Sequence, residues 1–83
     1  MFINKNKDGS LNLSGRQIAS LRRQLSPKVS QRAFADQLTA QGLRLNKNAV
    51  QRIESGQRFV TDIELLAIAK ALDVPPDRLL KEK

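Results

Sequence analysis

The stretch that decides the reading is NKNAVQRIESG, residues 46–56. Asn46 suits a helix N-cap, because its short side-chain oxygen can accept an N–H group that the first turn leaves unpaired. Ser55-Gly56 closes the segment, glycine being the residue that most easily ends a helix in the left-handed conformation. Between these ends Ala49, Val50 and Ile53 fall on one side of a helix and must face a core. Lys47, Asn48, Gln51 and Arg52 fall together on another side, at i, i+1, i+4 and i+5. All four can donate hydrogen bonds and none is a carboxylate. Arg and Lys suit O6 and N7 of guanine, and Asn and Gln suit N6 and N7 of adenine, in the major groove of duplex DNA. The residues that open a recognition helix are the ones that reach bases. Surface helices commonly carry a polar face, so the stripe needs support from the rest of the chain.

Upstream, Ser30 caps a second helix, with Phe34, Ala35 and Leu38 at helical spacing and Gly42 at its C-terminal end. Its first turn holds Gln31 and Arg32. A cation there opposes the helix macrodipole at a cost of a few tenths of a kcal/mol. A nearby phosphate reverses that cost, and the free N–H groups of the first turn already favour an anion. A helix over about 15–25 precedes it, with Ser14 and Gln17 spaced as a capping box and Ile18, Leu21 and Leu25 on one face. Ser26-Pro27 breaks that helix, since the residue before proline is pushed out of the helical region.

Downstream, Gln57 and Arg58 form a basic loop placed to meet a DNA backbone, and Phe59 and Val60 read as core or as a lid over it. A fourth helix starts at Thr61, with Glu64 completing a capping box, and runs through Leu65, Leu66, Ile68, Ala69 and Leu72. Pro75 and Pro76 open a short fifth helix whose Leu79 and Leu80 close the core. No segment alternates as a strand would. The expectation is an all-α fold, with a flexible N-terminal arm over 1–12 and one DNA-binding domain over 13–83.

Charge supports a polyanion partner. The 83 residues carry a net charge of +7, and the excess lies in the middle of the chain. Residues 13–58 hold nine bases against Asp36 and Glu54, whereas residues 59–83 hold four bases against five acids. Arg dominates the middle, and its planar fork of donors fits phosphate and guanine. Glu54 points away from the polar stripe and reads as an internal ion pair with Arg22 or Arg23.

Other function classes lose ground on the same composition. The chain lacks Cys and His, so the common zinc spacings cannot be written and no metal or cofactor is expected. With no His, Cys or Tyr and no glycine-rich phosphate loop, an enzyme is not expected either. The longest apolar run is residues 65–69, far short of the roughly 20 needed to span a bilayer. A polar N-terminus without a signal-peptide core and the absence of cysteine fit a cytoplasmic protein. Sequence-specific RNA readers stack bases on exposed aromatics, and only Phe2, Phe34 and Phe59 are present.

The run from Ile18 to Leu80 resembles the phage-repressor/Cro-type, or XRE, helix-turn-helix family. Four stretches carry the resemblance: residues 18–22 (IASLR), 30–35 (SQRAFA), 49–56 (AVQRIESG), and 61–72 followed by Val74 and Leu79-Leu80. The resemblance implies a compact five-helix, lambda-repressor-like bundle. In it the second helix lies across the DNA backbone and helix 46–55 enters the major groove. By position, Gln31 would hold a phosphate, while Lys47, Asn48 and Gln51 or Arg52 would face bases. Arg22 would pair with Glu54. The resemblance further implies a homodimer on double-stranded DNA that regulates transcription as a repressor.

Two departures from the family pattern stand out. Residues 26–29 lengthen the first link, and residues 35–46 are several residues longer than the compact form. The longer turn brings Arg44 to the DNA side as an additional phosphate contact. The same fold can also serve as an antitoxin or an adaptor for a protein partner, which is the main alternative.

Overall fold

The computed structural model describes residues 9–81. They form α1 (Gly15–Arg23), α2 (Gln31–Ala40), α3 (Lys47–Glu54), α4 (Asp62–Leu72) and α5 (Pro76–Leu79), with no strand among the described residues. Side-chain caps fix where three of the helices begin. The Ala33 N–H donates to Ser30 Oγ at 3.0 Å, and the Ala49 N–H donates to Asn46 Oδ1 at 2.9 Å. At α4 the capping box is complete. The Glu64 N–H donates to Thr61 Oγ1 at 3.2 Å, and the Thr61 N–H donates to Glu64 Oε1 at 3.1 Å. Losing such a cap typically costs about 1 kcal/mol.

α1 begins differently from the expectation. Ser14 has helical dihedrals (φ −94, ψ −13) and makes no side-chain cap bond, so the Ser14–Gln17 box does not form. An N-cap needs an extended backbone before its oxygen can reach the first turn. Asn12 supplies the acceptor instead, taking the Gly15 N–H on its Oδ1 at 2.7 Å. Gln17 is engaged elsewhere, as its Oε1 accepts from Arg78 Nη1 of α5 at 2.6 Å. Of the arm expected over 1–12, residues 1–8 lie outside the described residues. The Leu11 N–H donates to the Gly56 carbonyl at 2.8 Å, tying this end of the chain to the loop after α3.

The core gathers one face from every helix. Ile18, Phe34, Leu38, Val50, Ile53, Ile68 and Leu79 are its fully buried side chains. α2 packs most extensively on α3, α1 on α3, and α5 on α4 and α1. The radius of gyration is 12.1 Å, close to the ~12 Å of a folded chain this long. Gly15 sits where α1 crosses the end of α3. A Cβ there would run into the Ile53 carbonyl oxygen, so only glycine allows this approach.

Some apolar residues expected inside are not. Phe59 and Leu66 are about half exposed, and Leu80 is exposed while its neighbour Leu79 is fully buried. Ile63, on the outward side of α4, is 72% exposed. No helix among the described residues is long and apolar enough to cross a membrane.

Candidate nucleic-acid interface

α3 is sharply two-sided. Val50 and Ile53 are 2% and 1% exposed, whereas Lys47, Asn48, Gln51 and Arg52 are all exposed. The short helix between Asn46 and Gly56 therefore presents four polar, non-acidic side chains outward. A groove of about 730 Å³ between α2 and the start of α3 is lined by Arg32, Asp36, Thr39, Arg44, Lys47 and Asn48, among others. The fold thus brings Arg32 of α2, Arg44 of the lengthened turn and the first residues of α3 to one place. The turn achieves this because Leu45 is buried in the core, which leaves exposed Arg44 facing outward. Gly42 and Leu43 close α2 by donating to the Thr39 and Leu38 carbonyls at 2.9 and 3.0 Å.

Behind this surface lies a polar anchor. Glu54 accepts from Arg22 Nε at 2.6 Å, Arg22 Nη2 at 3.0 Å and Gln31 Nε2 at 3.0 Å. Arg22 also donates from Nη1 to the Val29 carbonyl at 2.9 Å. The side chains of Arg22 and Glu54 are 10% and 5% exposed. The hydrogen bonding of its guanidinium to Glu54 is the main cause that raises the Arg22 pKa, against the lowering effect of burial. One carboxylate on α3 therefore gathers α1, α2 and the link between them. It also fixes the Gln31 amide, whose second N–H and carbonyl oxygen make no bond to Glu54.

Arg58 has a carboxylate partner that its sequence position does not announce. Its Nη1 and Nη2 donate to Glu64 Oε1 and Oε2 at 3.0 and 3.1 Å, and Nη1 also reaches the Phe59 carbonyl. The guanidinium fork, expected on a phosphate, lies on the carboxylate of the α4 capping box, with the Arg58 side chain still 32% exposed. Arg58, followed by the hydrogen bond from the Thr61 N–H, holds the Glu64 carboxyl below the usual carboxylate range despite its partial burial. A depressed folded-state pKa contributes stability above the unfolded pKa of about 4.3 and loses it as pH falls through the folded value. Urea titrations between about pH 5 and pH 2.5 should show Glu64→Gln flattening that acid-side decline. An unchanged decline would mean the fork does not hold in solution.

Asn12 was not singled out by the sequence, because it lies in a polar segment with no periodicity. The only local hint is the Gly15 that follows three residues later.

These features define a helix-turn-helix DNA-binding domain: five helices among the described residues, a capped α2–turn–α3 unit and a base-rich, acid-poor outer face on α3. The helix-turn-helix family model of the XRE type matches residues 18–79, and the chain belongs to that family of DNA-binding transcription regulators. Among solved structures the chain is similar to the restriction-modification controller protein C.AhdI from Aeromonas hydrophila. The two are 31% identical, the match covers 78% of this chain and 84% of that chain, and the TM-score is 0.65. A comparison with curated proteins finds no match.

Proposed function

We propose that this transcription regulator reads duplex DNA sequence-specifically as a homodimer, with α3 in the major groove, and represses by occupying the site it reads. The observation that carries this reading is the outward face of α3. Lys47, Asn48, Gln51 and Arg52 are exposed there, directly opposite the buried Val50 and Ile53. These four are the proposed base contacts. Arg32 and Arg44, which line the same groove as Lys47 and Asn48, are the proposed phosphate contacts, together with Gln31 through its remaining N–H and the partly exposed Arg58. The likeness to a restriction-modification controller protein supports the regulatory role. Phe59 just before α4, Ile63 and Leu66 on α4 and Leu80 at the end of α5 are exposed and are the apolar surface proposed to meet a second copy. A two-fold dimer would place its half-sites about one helical turn apart, ~34 Å.

The reading is tested at single base pairs. Asn48→Ala or Arg52→Ala should weaken binding to the preferred duplex by about 1–3 kcal/mol and relax the preference at one base pair. Titrations against that duplex and its single-pair variants measure both effects. Equal weakening on every sequence would make these residues phosphate contacts and remove the proposed direct readout.

A further inference from the structure

Helix termini leave their last carbonyl groups without intrahelical partners. At the end of α3 the Ile53 carbonyl accepts from the Gly56 N–H at 3.1 Å and from a side chain far earlier in the sequence, which also reaches a carbonyl of the following loop. Asn12 Nδ2 donates to the Ile53 carbonyl at 3.0 Å and to the Arg58 carbonyl at 2.7 Å. Its Oδ1 accepts the Gly15 N–H at 2.7 Å. Both protons of the amide and its oxygen are thus used, and they join three separate points: the start of α1, the end of α3 and the loop leading to α4. The neighbouring chain follows the same path. The Leu11 N–H donates to the Gly56 carbonyl at 2.8 Å. Ser10 lies so close that a Cβ on Gly56 would come within 2.7 Å of its own Cβ. Gly56 has φ +79, a conformation side-chain-bearing residues rarely adopt, so the close approach and the turn both call for glycine. Residues 10–12 lie outside the 18–79 span matched by the family model.

We infer that Asn12 is a positioning residue for DNA recognition: its amide clamps the C-terminal end of α3 and so sets the pose of Gln51 and Arg52 on the duplex. This inference rests on the proposed reading of DNA by α3. Ile53 is one residue from Arg52 and two from Gln51, so a shift of the Ile53 carbonyl moves both side chains. The Glu54 anchor fixes α3 toward α1 and α2. The Asn12 clamp fixes it toward the loop at 55–58. With the Asn12 clamp missing and the Glu54 anchor in place, the helix remains packed through Val50 and Ile53 but gains freedom to rock about its axis. Base contacts are sensitive to such freedom, because bidentate pairing demands fixed geometry, whereas phosphate contacts tolerate it.

Two substitutions separate this role from simple helix capping. Asn12→Asp keeps an acceptor for the Gly15 N–H, and a carboxylate at that end suits the α1 dipole. It removes both donors to the α3 side. Asn12→Ala removes everything. Discrimination is measured as the ratio of affinities for the wild-type protein's preferred duplex and a scrambled duplex. The titrations are run at fixed salt and at a temperature where circular dichroism shows each protein fully folded. Both variants should lose at least about fivefold in that ratio, near the lower end of what one bidentate base contact contributes. Their salt dependence should stay that of the wild type, since no phosphate contact is lost. Should Asn12→Ala fail to fold, Asn12→Asp carries the test alone. Wild-type discrimination in Asn12→Asp would reduce Asn12 to a cap for α1 and overturn the inference, leaving the DNA reading intact. A wild-type protein with no preference between the duplexes would instead overturn the DNA reading, and this inference with it.

Discussion

Glu54→Ala should destabilise the domain by about 3–5 kcal/mol, the usual cost of removing one partner of a buried ion pair. The loss comes chiefly from what is left behind. Arg22 stays buried against α3 with its charge unmatched, because Val29 supplies only a carbonyl to Nη1. Gln31 loses the acceptor that holds its amide. A small domain has roughly 5–15 kcal/mol of stability in total, so the variant should be close to unfolding. Replacing both partners by apolar residues of similar length, Arg22→Met with Glu54→Leu, should cost much less than either single change. A buried pair contributes little net stability against a well-packed apolar alternative. Urea unfolding at neutral pH checks both statements. A loss of under about 1 kcal/mol in Glu54→Ala would equate the pair with an exposed one and remove it as the anchor of α3.

Ile53→Ala, one position away, should cost about 2–5 kcal/mol for a different reason: it opens a cavity in the core. Ile53 is 1% exposed and belongs to the central apolar core. Its neighbour Arg52 is exposed, and Arg52→Ala should move stability by no more than about 0.5 kcal/mol while weakening DNA binding. Adjacent positions on one helix thus have opposite phenotypes, one thermodynamic and one functional. Thermal denaturation alongside DNA titration separates them. A stable Ile53→Ala protein with altered DNA preference would mean that α3 presents its other face to the duplex.

Much of this architecture is legible in the sequence because local signals and packing agree. Ser30, Asn46 and Thr61 cap the helices they precede, and the apolar positions 34, 38, 50, 53, 68 and 72 all reach the core. The outward stripe of α3 follows from the same periodicity, since burying Val50 and Ile53 leaves positions 47, 48, 51 and 52 no other side. What the sequence hides is competition between partners far apart in the chain. Ser14 and Gln17 have capping-box spacing, yet Asn12 supplies the acceptor at that helix start and Arg78 of α5 engages Gln17. Arg58 looks like a free basic loop residue until α4 places Glu64 beside it. Phe59 reads as core or as a lid over it, and the turn at 55–58 leaves it about half exposed. Each miss is a contact decided by tertiary geometry, for which residue type and spacing carry no local signature.

The claim that α3 reads DNA sequence is tested most directly by incubating the protein with a pool of random duplexes, recovering and sequencing what binds, and repeating the selection at two salt concentrations. A two-fold dimer reading bases through α3 should enrich an inverted repeat with half-sites about one turn apart, with affinity that falls steeply as salt rises, as phosphate contacts require. Salt-sensitive binding with no enriched sequence would contradict that claim by reducing the basic face to a general DNA coat. Absence of binding would contradict it more deeply and turn that face toward an acidic protein partner, as in an antitoxin or adaptor.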